Sequence, residues 1–154
     1  MHRPRGASIA LQSLAAWGVV LALAVGNGAL REALLVPALG RTAALVLSGV
    51  LLSIFIVLVA VLFVRRLRGL SVAHATGIGV LWLGLTLAFE FAFGRFVQHK
   101  AWAELLDAYT FRDGNLWPVV LLVTLLAPAL AARSALSGRA RTSATTRSSP
   151  SARR

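Results

Sequence analysis

Residues Thr42–Val64 read TAALVLSGVLLSIFIVLVAVLFV, a run without a single charged side chain. At 1.5 Å of rise per residue, a helix of about 20 residues crosses the roughly 30 Å of a bilayer's hydrocarbon core. Lipid offers backbone amides no partner, so a spanning segment of this kind must satisfy them internally as a helix. Three further apolar segments flank it: Ile9 to Gly26, Gly77 to Phe96 and Leu116 to Ala132. Together they predict an all-α membrane protein with four transmembrane helices. The third segment carries Glu90 and Arg95 near its far end. The fourth is short and contains Pro128, which removes a backbone donor and predicts a kink.

Composition leads to the same class. Of the 154 residues, 58% are hydrophobic and 14% charged, with a mean hydropathy of +0.78. That is more apolar surface than a soluble domain of this length can hide. The net charge of +11 would suit nucleic acid, but the basic residues gather at the two ends and at Arg65, Arg66 and Arg68, between apolar runs. With no cysteine in the chain, disulfides, thiolate metal sites and cysteine nucleophiles are excluded. No cofactor is expected. His74 and His99 lie about 37 Å apart along a helical path, too far to bracket a haem or metal.

The chain divides into a basic N-terminus (residues 1–8), a membrane domain (9–132) and a tail (133–154) rich in Ser, Thr and Arg. The tail lacks apolar periodicity and is expected to be disordered. Its arginines suit anionic lipid at the cytoplasmic face, and without aromatic groups to stack on bases it is not expected to bind nucleic acid. MHRPRGAS followed by an apolar run and Ala22-Leu23-Ala24 has the outline of a signal peptide. The apolar character resumes after Gly28 as ALREALLVPALG, however, so the segment is expected to be retained, as a helix reaching Pro37 or followed by a short interfacial helix.

Orientation follows from the basic residues that flank the spans. Eleven of the 16 lie on the side of the N-terminus, the Arg65–Arg68 loop and the tail, and five on the other. Both termini are therefore expected in the cytoplasm, in a bacterial inner membrane. All five acidic residues, Glu32, Glu90, Glu104, Asp107 and Asp113, fall on or near the outer side.

Glu90 stands among phenylalanines in LTLAFEFAFGRF (Leu85–Phe96). Ionisable side chains in spans usually face protein or water. Arg95, about 140° around the same helix, is poorly placed to pair with it, which leaves Arg31. The expectation is a polar cluster of Asn27, Arg31, Glu32, Glu90 and Arg95, in which an ionised Glu90 pairs with Arg31 and Glu32 with Arg95. The alternatives are a proton site in a small transporter or channel component, and a pocket for a headgroup or substrate. Gly84, Ala88 and Ala92 form a row of small residues, with Gly49 and Ser53 as a facing row, which predicts that the third helix is central or forms a dimer contact.

Between the third and fourth spans, Trp102, Leu105, Leu106 and Tyr109 fall on one helical face and Lys100, Glu104 and Asp107 on the other. This predicts an extracytoplasmic amphipathic helix at the membrane interface, able to cover the Glu90 region. Asp113-Gly114-Asn115 reads as a turn, with Asn115 capping the fourth helix.

Asn27-Gly28, Arg31-Glu32, Pro37, Gly40, Phe89-Glu90-Phe91, Phe93-Gly94, Trp102, Leu105-Leu106, Tyr109, Gly114 and Leu116-Trp117 resemble the pattern of small bacterial four-span membrane proteins of uncharacterised function. The resemblance implies no activity and groups the outer polar residues together. The first expectation for function is therefore a non-enzymatic protein acting through helix packing with itself or a membrane partner. A transporter component using Glu90 comes second, and an enzyme acting on a lipid-like substrate third.

Overall fold

The computed structural model describes residues 5–67 and 69–147, all of them in helices or short connections. Arg3, Arg68 and residues 148–154, which enter the charge count above, lie outside the described residues. Helix α1 (Arg5–Leu30) passes through a π-helical turn (Arg31–Leu35) into α2 (Val36–Leu39). Then come α3 (Arg41–Arg66), α4 (Val72–Ala92) with a second π-helical turn (Phe93–Val97), the short α5 (Trp102–Asp107), a 3-10 turn (Arg112–Gly114) and α6 (Trp117–Arg147). Four stretches are long and apolar enough to cross a membrane: Ser8–Leu39, Arg41–Arg66, Val72–Val97 and Trp117–Gly138.

The boundaries have local causes. Pro37 has no N–H and its ring crowds the carbonyl four residues back. The chain widens just before it, and Val36 N–H reaches back five residues to the Arg31 carbonyl. Gly40, at φ +79°, makes the turn between α2 and α3, a conformation that favours glycine. Ser71 caps α4 by accepting from the His74 N–H. Asn115 Oδ1 accepts from the Trp117 N–H at 3.0 Å and starts α6, as expected.

Helix α6 lies along both α3 and α4, while α1 packs chiefly on α3. Helices α3 and α6, not the third span, therefore form the centre of the bundle. Helix α6 approaches α4 tightly at Gly79, which meets the Leu125 backbone carbonyl with no room for a Cβ. Ile56, Trp82, Val120 and Ala127 belong to the continuous core beside this contact. Leu58, Leu62, Leu122 and Leu130 stay exposed on the outside, as a lipid-facing surface requires.

One further expectation is corrected. Helix α6 continues to Arg147, so residues 133–147 are helical where a disordered tail was expected. Residues 133–138 complete the span, which continues past Arg133. The first span runs on past Gly26 through α2 to Leu39, the first of the two alternatives that ALREALLVPALG offers.

Candidate functional site

Helices α1 and α4 are stapled together at one end. The Trp82 indole, 0% exposed, donates from Nε1 to both the carbonyl and the Oγ of Ser13 at 3.1 Å. One turn on, Trp17 Nε1 donates to Thr86 Oγ1 at 3.2 Å. A buried indole N–H must find an acceptor, and α1 supplies it.

Towards the α5 end the two helices separate, and a cavity of about 460 Å³ opens between them, with α3, α5 and α6 completing its walls. Its interior is mostly apolar, lined by residues such as Leu21, Ala24, Ile56, Phe93 and Val120. Arg31, Glu32, Gln98, Lys100 and Glu104 also line it. Both π-helical turns fall at this end, and widened turns of this kind recur at functional sites.

Glu90 lines the cavity, but its partners differ from those expected. Its Oε2 accepts from the Tyr109 hydroxyl at 2.7 Å and from Trp117 Nε1 at 2.9 Å. Arg31 bonds instead to its neighbour Glu32, Nε to Oε1, at 3.0 Å. The Arg31–Glu90 pair is thereby overturned, and helix register gives the reason. Ser13 meets Trp82 and Trp17 meets Thr86, the same offset in these parallel helices. Carried along unchanged, it sets Glu90 level with Leu21, leaving Arg31 ten residues further on, about 15 Å at 1.5 Å per residue.

The expected Glu32–Arg95 pair is absent as well. Arg95 Nη1 donates to the Lys100 carbonyl at 3.4 Å, and Arg95 does not line the cavity. Of the expected polar cluster, Asn27, Arg31, Glu32 and Glu90 share the cavity wall and Arg95 stands apart.

Tyr109 is held on a second side, its ring stacked on Phe91 at 5.7 Å between centroids. Burial, with the hydrogen bond to Glu90 adding to it, pushes its phenol above the ordinary range, so the hydroxyl remains a donor. Glu90 thus ties two parts of the chain to α4: the segment after α5, through Tyr109, and the start of α6, through Trp117.

Asn27 is 6% exposed and lines the cavity. Its Nδ2 donates to the Ser48 carbonyl at 3.1 Å, joining α1 to α3. Its Oδ1 is buried without a hydrogen-bond partner among the described residues. The amide orientation is settled by this geometry, because the opposite one would set oxygen against the Ser48 carbonyl.

The interfacial helix is shorter than expected, ending at Asp107, and its apolar face is divided. Leu105 is buried in contact with Gly94, where a Cβ would collide with its Cδ2. Trp102 and Leu106 are 58% and 57% exposed. Tyr109 lies beyond the helix, which frees its hydroxyl to reach Glu90. The two small-residue rows do not face each other within the chain. Gly84 has open space where a Cβ would stand, and Ala88 and Ala92 are exposed, so this row does not pack inside the bundle. Gly49 lies against Leu116, and Ser53 bonds back to the Gly49 carbonyl at 2.8 Å.

The residues missed from sequence are Trp117 and Tyr109 as partners of Glu90, and Ser13–Trp82 and Trp17–Thr86 as staples. One signal was present: indole and phenol donors near a membrane carboxylate need an acceptor. Among the described residues no group of three or more His, Asp or Glu side chains forms a metal site. No family model, curated protein or solved structure matches this chain.

Proposed function

We propose that this chain is a non-enzymatic protein of the bacterial inner membrane that binds a lipid-like amphiphile in the cavity between α1 and α4. In this reading both termini are cytoplasmic and α5 lies on the outer face, as the distribution of arginines favours. The observation that carries it is the cavity's combination of mostly apolar walls with a few polar and charged side chains. Its volume falls within the roughly 300–1,000 Å³ of small-molecule sites, and such sites are mostly apolar with a few placed polar groups. A chain would lie along Leu21, Ala24 and Phe93, and a polar end would meet Asn27 and the charged residues.

Glu90 holds the architecture in this reading. A carboxylate oxygen that accepts from both Tyr109 and Trp117 is placed to anchor the α5 connection over the cavity. That favours a binding role over proton transfer along a path.

Native mass spectrometry of the protein released from gentle detergent tests the proposal. Gly28 lines the cavity and has open space around a Cβ position, so Gly28→Leu fills it. Gly84→Leu adds the same bulk on the outside. Wild type and Gly84→Leu should retain a bound lipid-like molecule and Gly28→Leu should lose it. Equal retention by all three contradicts the proposal. For orientation, reporters active on only one side of a membrane, fused after Asp113 and at Arg154, should report opposite sides.

A further inference from the structure

We infer that the Trp17–Thr86 staple is the floor of this cavity and sets the length of acyl chain that the cavity accepts, so that Trp17 is a specificity-determining residue. The inference rests on the binding reading above and deepens it.

The cavity has a depth that matches a lipid chain. On α1 its lining begins at Val20 and reaches the charged Arg31, and on α4 and its π-helical extension it begins at Thr86 and reaches Gln98. That is about 16 Å along α1 and about 18 Å along α4, at 1.5 Å per residue. One leaflet of a bilayer's hydrocarbon core is about 15 Å thick. A single chain whose polar end lies level with Arg31 therefore fills the depth. The side of the cavity is open, because Val25 and Phe93 line it while remaining 58% and 40% exposed. The chain thus enters between α1 and α4 from the surrounding lipid.

The inner end is closed. Less than one turn inward of Val20, the Trp17 indole crosses from α1 to α4, and its Nε1 donates to Thr86 Oγ1 at 3.2 Å. One turn further in, Trp82 closes the same seam. It is fully buried, donates to Ser13 at 3.1 Å and packs on Phe63 with ring centroids 5.7 Å apart. A chain too long for the cavity must displace the Trp17 ring and strip its N–H of an acceptor. A chain too short leaves a void whose walls lose their contacts. Both penalties vanish at one length. Trp82 gives the seam a second floor, about 6 Å deeper, which Trp17 keeps out of reach.

The test offers the full-length protein, in a gentle detergent, an equimolar mixture of saturated monoacylglycerols. Their chains run from about 8 to about 18 carbons, lengths that bracket one leaflet. Native mass spectrometry reads the chain lengths retained against those supplied. Wild type should retain one length over chains about four carbons longer by about ten-fold, as expected when a buried N–H loses its acceptor. Trp17→Ala should move the upper limit by about four carbons, the gain from one turn of helix. Thr86→Val keeps the ring and removes the acceptor, so it should weaken discrimination against longer chains while the preferred length stays. Gly84→Leu, outside the bundle, should reproduce the wild-type profile. A flat wild-type profile, or the same upper limit in Trp17→Ala as in wild type, overturns the inference. If Trp17→Ala does not fold, the wild-type profile and Thr86→Val carry the test.

The Gly28→Leu variant separates this failure from failure of the binding reading. If wild type retains every length equally and Gly28→Leu abolishes retention, the cavity binds amphiphiles and only the floor assignment falls. If no monoacylglycerol is retained, or Gly28→Leu changes nothing, both fall.

Discussion

The two ends of α4 treat α1 in opposite ways. Around Gly79 and Trp82, α4 is pressed against α6 and stapled to Ser13 of α1, and the buried polar groups are paired. Around Glu90 and Gly94 it stands away from α1 across a cavity, the helix widens into a π turn, and one buried acceptor is left without a donor. The same helix thus provides rigidity at one end and room at the other. Packing that excludes everything stabilises, and the open end gives up some of that packing for space.

The closed end should be the more sensitive to substitution. Gly79→Ala forces a Cβ into the Leu125 carbonyl. Overpacking against backbone costs about 3 kcal/mol, which should appear as the largest loss of thermal stability in detergent. Gly84→Ala, in open space on the same helix, should be neutral or slightly stabilising, since Ala favours helix over Gly by about 1 kcal/mol. Equal effects at the two positions would break the contrast.

Next in size is Trp82→Phe, which keeps most of the ring and removes the donor to Ser13. Leaving the Ser13 Oγ without that donor should cost about 1–3 kcal/mol.

At the open end, double-mutant cycles sharpen the role of Glu90. Glu90→Leu combined with Tyr109→Phe should be non-additive by about 1 kcal/mol, because the pair shares a hydrogen bond of 2.7 Å. Glu90→Leu combined with Arg31→Gln should be additive. Coupling to Arg31 and none to Tyr109 would restore the ion pair that the geometry overturns.

The spans themselves were legible in the sequence, because an uncharged run such as Thr42–Val64 has one way to satisfy its backbone in lipid. So was the Asn115 cap, a local matter of one side chain and one N–H two residues on. The partners of Glu90 were not. They depend on how far α1 slides along α4, and nothing in one chain's hydropathy records an offset between helices. Counting depth from apolar boundaries put Arg31 beside Glu90, whereas the Ser13–Trp82 and Trp17–Thr86 bonds place it well beyond. Nor does the Gly84–Ala88–Ala92 row face Gly49 and Ser53 within the chain. Small residues permit a close approach without saying which neighbour takes it, and α6 makes its approach at Gly79 instead.

The smallest expected effect is on pH dependence. Burial raises the Tyr109 pKa above its ordinary 10.0. A raised value means that its contribution to stability is complete below about pH 10 and is lost as pH rises through the higher folded value. Alkaline unfolding of wild type should therefore be steeper than that of Tyr109→Phe, and identical curves would count against a buried Tyr109.

The central claim, that the open end receives an amphiphile, is tested most directly by thiol protection, since the chain has no cysteine of its own. Gly28→Cys places one thiol in the cavity, and Gly84→Cys places one on the outer surface of α4. Reaction with a small maleimide is followed with and without an added amphiphile, either a diacylglycerol or a long-chain primary amine. The account predicts that the ligand slows labelling at Gly28→Cys about ten-fold, as for a site mostly occupied, and leaves Gly84→Cys unchanged. Labelling at Gly28→Cys that is indifferent to every added amphiphile would contradict it.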